Sequence, residues 1–331
     1  MKILRKRVII GGGLFLLLFI ITVSVSISSF PIEDALIVKP IDVWVSLFKF
    51  FSNNSLNTVD KIALFRFQRV LAALLSGILL AVGGTFYQTI LMNPLVDPYL
   101  LGVSAGASLG AVIAYRFSLP GPVWLYSFPF AILAFAVSYL LGRGNKLRIV
   151  LSGVVVSALL SSIITLILIM WNNSLHNVMA WLMGSFSMAD WEKIVIQFIV
   201  VVFVGMFSIV NLRILDIILI GDEVAHSVGV DIYKSKLMFL IVASLSATFV
   251  ASFFGIISFI GLMAPHIARL LVGDSHFYKL IMASQIGAIL LILGDFLSRS
   301  ILYPMEVPIG VFTSFVGAMF FLYLVFCGEW L

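Results

Sequence analysis

The 331 residues are 62% hydrophobic and only 11% charged, and the mean hydropathy is +1.19. These proportions exclude a soluble core and leave no room for a large soluble catalytic domain. A spanning helix needs about 20 mostly apolar residues, so this chain can hold roughly ten spans with short connections. Long unbroken apolar runs favour helices over a transmembrane barrel, which would show short alternating segments.

The remaining composition limits which ligands and sites this chain can have. The formal net charge of +5 rests on few charges and indicates membrane orientation, so we predict no nucleic-acid binding. A single cysteine, Cys327, excludes an internal disulfide and a multi-cysteine metal site. The four histidines lack the HExxH spacing, and no GxxxxGK[ST] phosphate loop occurs. We therefore predict neither a metal site nor ATP binding by that route on this chain.

The apolar runs predict an all-α integral membrane protein with one transmembrane domain over 1–331. The first run, from 8 to about 27, follows a basic N-terminus and is too long for a typical signal peptide. Nine more runs follow: 62–91, 99–115, 122–142, 149–171, 193–211, 237–257, 259–271, 280–302 and 308–327. The basic N-terminus predicts that both termini are cytoplasmic. Pro265 interrupts the short run 259–271, so the sequence leaves open whether this run fully spans.

Polar segments interrupt these runs. The segment 28–60 is predicted to lie at the outer interface, and 171–192, with its Asn and Trp residues, to form an outer loop or interfacial helix. The segment 212–236 is the longest on the predicted inner side, where a cytoplasmic partner could dock. Within it, Asp222 and Glu223 suit a helix N-terminus and Gly229 suits a helix stop, which predicts a short surface helix. A solvated connector is the alternative.

Gly102, Gly106 and Gly110 repeat every four residues, with Ser104 between the first two. This spacing leaves one helix face with almost no side-chain atoms, so another helix can approach closely. Packing within one subunit is the simpler interpretation. A wall of a translocation path or a dimer seam is the alternative.

Polar residues also surround a predicted turn between the second and third runs. The prolines in the sequence NPLVDP, at 93–98, favour a turn and forbid a continuous helix. Gln88 and Asn93 flank this turn, and polar groups at that depth need partners or water. They therefore either stabilise the turn or line a path.

Asp295 is the only carboxylate in the run 280–302. An unpaired charge at mid-bilayer costs about 2.5 to 3.5 kcal/mol on insertion scales. Arg299 lies four residues on, on the same helix face. The pair predicts either a structural ion pair or a contact for an outer partner.

Three ordered stretches resemble one family. They are RFQRVLAALLSGILLAVGGTFYQTILMNPLVDPYLLGVSAGASLGA at 66–111, GIISFIGLMAPHIARLLVGD at 255–274, and Gly294–Asp295 through Arg299 to EVPIG at 306–310. From about 66 to 326 the chain is similar to the permease subunits of ABC importers for iron-siderophore, haem and cobalamin uptake. Gln68 departs from the family's R-L-P-R pattern.

The resemblance implies an assembly in a prokaryotic plasma membrane. Its parts are a homodimer of ten-helix subunits around a central path, two cytoplasmic ABC ATPase subunits and an extracytoplasmic solute-binding protein. ATP and Mg would be bound by the ATPase, and this chain would hold no cofactor.

The resemblance also implies roles for individual residues. The segment with Asp222, Glu223, Ala225 and Gly229 is similar to the family's ATPase-coupling helix, E-A-A-x-x-x-G, from which Val224 departs. Arg66, Arg69 and Arg299 correspond to outer arginines that meet carboxylates of the binding protein. Rim arginines suit that role because they bind carboxylates in a fork and steer encounter.

We therefore predict a non-enzymatic permease that imports a metal chelate, first a ferric siderophore, with haem, cobalamin or an oxyanion as alternatives. An ion-coupled secondary transporter also has many spans and broken helices, but intramembrane acids are scarce here. An integral-membrane enzyme using His266 or Asp295 would need an acid or base partner within hydrogen-bond reach.

Overall fold

A computed structural model describes residues 2–26, 38–52, 55–143, 145–171, 175–302 and 305–327. Within these ranges the chain forms thirteen α-helices, a 3-10 turn at Phe186–Met188 and no strand. The helices are α1 (Lys2–Ser26), α2 (Pro40–Phe51), α3 (Thr58–Leu91), α4 (Val103–Arg116), α5 (Trp124–Gly142), α6 (Lys146–Ile169), α7 (Leu175–Leu182), α8 (Trp191–Ile220), α9 (Asp222–Ser227), α10 (Ile232–Phe254), α11 (Ile260–Val272), α12 (His276–Ser300) and α13 (Ile309–Cys327). The predicted all-α architecture is confirmed.

Eight helices of the described chain are long and apolar enough to cross a membrane: α1, α3, α5, α6, α8, α10, α12 and α13. The other two predicted runs form the shorter helices α4, with 14 residues, and α11, with 13 residues. At 1.5 Å per residue each rises only about 20 Å, less than the roughly 30 Å of a hydrocarbon core. The residues that precede these two helices, Gly102 and Phe259, adopt positive φ angles of 82° and 68°.

The core of the bundle is built around α3, which packs against α8, α10, α11 and α12. Glycines allow this close packing. A Cβ on Gly77 would overlap the carbonyl of Gly287 on α12, and a Cβ on Gly84 would overlap the carbonyl of Gly261 on α11. Small residues at such crossings bring helix backbones into contact where larger side chains would hold them apart.

The inner polar segment differs from its prediction. The run 193–211 was expected to end before 212, but α8 continues to Ile220. The extra turns are stabilised because Leu215 and Ile218 are fully buried against the bundle. Only 221–231 therefore separates α8 from α10, and α9 lies within it.

The predicted outer segments are partly helical. The segment 171–192 contains α7 and the 3-10 turn, while its residues 172–174 lie outside the described chain. Its place at the outer interface stays a prediction. In 28–60, α2 packs against α3. Residues 28–37 and 53–54 of that segment also lie outside the described chain.

Candidate functional site

A buried arginine cluster joins the start of α3 to the end of α12. Arg69 donates to one Asp295 oxygen through Nε at 3.1 Å and Nη2 at 2.8 Å, and through Nη1 to both Glu306 oxygens at 2.7 and 2.9 Å. The Arg69 side chain is only 2% exposed, whereas that of Glu306, in the loop between α12 and α13, is 43% exposed. Arg69 thus holds α3, α12 and that loop together.

The other two arginines of the cluster fasten the end of α1. Arg299 Nε lies 3.5 Å from Asp295 Oδ2. Its Nη2 donates to the Ser24 carbonyl and, at 2.7 Å, to the Ser24 hydroxyl. Arg66 Nη1 donates to the carbonyls of Val25 and Ser26 at 3.4 and 3.3 Å. The last carbonyls of a helix have no partner within the helix and carry partial negative charge, which explains why cations are held there.

The predicted Asp295–Arg299 ion pair is confirmed, but it is the weaker part of this cluster. The dominant contact joins Arg69 and Asp295, which are 226 positions apart and share no sequence signal. The guanidinium groups of Arg66, Arg69 and Arg299 are all buried and all bonded within the chain. Docking of a binding protein on these arginines stays a prediction, and Glu306 is the one ion-pair partner of Arg69 that is open to solvent.

The predicted short helix forms at the opposite end of the bundle. Gly221, with φ 145°, ends α8, and α9 begins at Asp222, whose side chain lies outside the described chain. Gly229 follows with φ 82°, a conformation that favours glycine. The start and stop read from the sequence are therefore confirmed.

The surface of α9 divides into a buried and an exposed side. Ala225 is fully buried against the bundle, while Glu223 and His226 are exposed. Val224, which departs from the family pattern, is 41% exposed, so its extra methyl groups cost no packing. Near the start of α10, hydrogen bonding by the backbone and side chain of Lys234 lowers the pKa of Asp231. The exposed side of α9 is free to contact another protein.

The small-residue face of α4 is used inside the subunit. A Cβ on Gly106 would overlap the carbonyl of Phe130, and one on Gly110 would overlap that of Tyr126, so α4 lies directly on α5. Gly102 caps α4, and Ser104 is half-buried. The close helix approach is thus observed within one chain, and a role in a translocation path stays a prediction.

The two polar residues flanking the predicted turn make local contacts. Gln88 Nε2 donates to the Leu262 carbonyl at 3.2 Å, and Asn93 Oδ1 accepts from the Leu95 backbone N–H at 2.9 Å. Both line a cavity of about 260 Å³ at the end of α3. The turn is confirmed, whereas contact with cargo stays a prediction.

Sequence reasoning missed a set of polar contacts near this cavity. His276 Nδ1 lies 2.6 Å from Asp216 Oδ1, and its Nε2 lies 3.0 Å from Thr89 Oγ1, which links α3, α8 and α12. His266 is buried on α11, and neither ring nitrogen has a hydrogen-bond partner in the described chain. The signal that sequence reasoning overlooked is a polar residue close to an apolar run, as at 216 and 276.

Comparisons with known proteins identify the family. The FecCD transport family matches residues 14–326. The hemin transport system permease protein HmuU of Yersinia pestis is 35% identical over 271 residues, covering 78% of this chain and 81% of that protein. The cobalamin import system permease protein BtuC of Halobacterium salinarum is 33% identical over 268 residues, covering 78% of this chain and 72% of that protein. A solved structure of an inward-facing ABC transporter, described as of the metal-chelate type, superposes with a TM-score of 0.82 at 26% identity. The match covers 96% of this chain and 98% of that chain.

These matches decide between the alternatives that the sequence left open. They extend over almost the whole described bundle, including the arginine cluster, α4 and α9. The relatives are transport permeases, so neither the ion-coupled carrier nor the membrane enzyme is supported. The chain belongs to the FecCD transport family and is a multi-pass permease subunit of an ABC importer.

Proposed function

We propose that this permease imports a metal chelate, with a ferric siderophore as the first candidate and haem, cobalamin or an oxyanion as alternatives. The observation that supports this cargo class is the agreement among relatives, which are named for hemin, cobalamin and iron(3+)-hydroxamate. The energy comes from hydrolysis of ATP, which a separate ATPase subunit binds together with Mg. The permease itself contributes alternating access and no covalent chemistry.

The proposed assembly is a homodimer with two cytoplasmic ATPase subunits and one extracytoplasmic binding protein. The short helix α9 supports the ATPase contact, because its exposed Glu223 and His226 surround a buried anchor, Ala225. Motion of an ATPase bound there would reach α8 and α10, against which α9 packs. We place this end, and both termini, in the cytoplasm of a prokaryotic cell because the N-terminal segment is basic.

The binding protein is proposed to dock at the arginine cluster by exchange of carboxylates. Three guanidinium groups face two carboxylates there, so the cluster keeps a net positive charge. Glu306 is the exposed carboxylate, and an incoming acidic side chain could take its place on Arg69. A bidentate arginine contact supplies the geometry for such an exchange.

The cargo path is proposed to run between two copies of the chain, near the inner turn after α3. Gln88 and Asn93 support this proposal because both border an open cavity. The face formed by Gly102, Ser104, Gly106 and Gly110 would keep the wall of that path thin and rigid.

The test is purification of the tagged chain from its native membrane in mild detergent, with mass spectrometry of its partners and an ATPase assay. We expect a stoichiometric partner with a phosphate loop and vanadate-sensitive turnover. Reconstituted vesicles with the matching binding protein would then show ATP-dependent uptake of a radiolabelled ferric siderophore. Uptake driven by an ion gradient without any ATPase would contradict the proposal.

A further inference from the structure

A polar cleft lies at the end of the bundle that carries α9. Gln88 and Asn93 border one side of it, and α11 and α12 form its other side. Its volume is about 260 Å³, and it lies between the final turns of α3, α8 and α11 and the first turn of α12. Two cations line it, Arg269 and Lys279, together with one carboxylate, Asp274. The charged lining residues therefore carry one net positive charge.

The single carboxylate of the lining, Asp274, offsets only one of the two cations. Lys279 is only 6% exposed, and Arg269 is half-buried. Within the described ranges neither forms an ion pair, and Asp216, on the neighbouring helix, is bonded to His276. A buried lysine without a paired anion is costly, so the cleft favours an anionic ligand.

His266 supplies a second, independent indication of a ligand. Its side chain is 3% exposed and lines the same cleft, and both ring nitrogens lack a partner among the described residues. A neutral imidazole carries one N–H donor, which an oxyanion can accept. Arginine, lysine and an imidazole N–H together form a donor set that suits a phosphate group.

A separate apolar groove lies along α3 and α8, two of the helices that line the cleft. Its volume is about 230 Å³, and it lies between α3, α8 and α12. Val82 lines the groove and Thr89 the cleft, seven residues apart on one face of α3; Leu212 and Leu219 repeat this arrangement on α8. Two helical turns, about 10 Å, separate the polar from the apolar part.

We propose that an anionic phospholipid binds here, with its phosphate in the cleft and one acyl chain in the groove. Arg269, Lys279 and the N–H of His266 would bind the phosphate oxygens. The groove would hold the acyl chain because it is apolar and because one of its lining residues, Phe277, is 50% exposed. Basic pockets between transmembrane helices at the cytoplasmic side bind such head groups. A bound lipid would link α8, and hence α9, to the composition of the membrane.

Native mass spectrometry of the full chain in mild detergent tests the head-group contact. We expect retained phosphatidylglycerol in preference to phosphatidylcholine. Arg269→Gln and Lys279→Gln should each weaken phosphatidylglycerol binding about fivefold, the typical effect of one cation near a membrane surface. Lys61→Gln, an exposed lysine at the other end of the bundle, is the matched control and should bind like the wild type. Equal binding by all four proteins would overturn the proposal.

A glycine variant tests the acyl chain and separates lipid from free phosphate. An added Cβ at Gly205, in the groove, meets no atom within 4 Å, and the same holds for Gly12 on α1. Gly205→Leu should fill the groove and reduce phosphatidylglycerol binding, whereas Gly12→Leu should not. If inorganic phosphate displaces the lipid fully and Gly205→Leu binds like Gly12→Leu, the cleft takes a free oxyanion and the lipid assignment is wrong. Because Arg269 and Gly205 are not fully buried, these variants report binding even where Lys279→Gln fails to fold.

Discussion

The two ends of the bundle treat buried charge in opposite ways. At the arginine cluster, Arg69 is enclosed and bonded to two carboxylates of its own chain. At the α9 end, Lys279 is almost as deeply buried and forms no ion pair within the described chain. Charges that are satisfied internally stabilise one arrangement of helices, whereas charges left without partners select an external ligand. We call the arginine cluster the locked end, because its charges are paired within the chain. The α9 end keeps a buried lysine that has no ion pair among the described residues and can therefore bind a ligand.

The largest expected effect is on stability at the locked end. Arg69→Ala leaves Asp295 buried without its main partner, which typically costs about 3 to 5 kcal/mol. We expect a marked fall in the thermal unfolding temperature of the purified permease, measured by intrinsic tryptophan fluorescence. Lys61→Ala, an exposed cation on the same helix, is the control and should unfold like the wild type.

A double variant shows whether this effect belongs to the ion pair. Arg69→Ala combined with Asp295→Asn removes both charges and should lose about 1 to 3 kcal/mol less than the sum of the two single variants. Strictly additive losses would mean that the two residues act independently, and the locked end would need another explanation.

A smaller and more local effect is expected at α9. Ala225 is fully buried, so Ala225→Leu overpacks the contact between α9 and the bundle, which typically costs about 1 to 3 kcal/mol. We expect α9 to shift and the ATPase to lose its response to the permease, measured as vanadate-sensitive turnover in vesicles. Val224→Ala, which alters an exposed neighbour, should leave turnover unchanged. Normal coupling in Ala225→Leu would count against α9 as the coupling element.

The smallest expected effect concerns Glu306. Because its side chain is 43% exposed, Glu306→Gln should lower stability by only ~1 kcal/mol. The same change frees one edge of Arg69, so a docking carboxylate should bind about fivefold more tightly. Surface plasmon resonance with the matching binding protein measures this change. Weaker docking would instead make Glu306 itself a contact for the binding protein.

The sequence predicted the helical class and most spans because apolar composition alone determines which segments enter a membrane. It also predicted the boundaries of α9, since acidic residues and glycine act locally at helix ends. It left open whether the run 259–271 crosses, and it did not predict that α4 is too short to cross, because the backbone at Gly102 turns under the constraint of neighbouring helices. Nor could it pair Arg69 with Asp295, because that contact arises only when α3 packs on α12.

The contrast between the ends is tested most directly by cross-linking in the native membrane. In a background with Cys327→Ser, single cysteines are placed at His226, on the exposed side of α9, and at Lys61, at the start of α3. With a short bifunctional reagent, the account predicts that His226→Cys cross-links to a protein that carries a phosphate loop and that Lys61→Cys does not. Cross-linking of that protein to Lys61→Cys, or to neither position, would contradict the assignment of α9 as the end that drives transport.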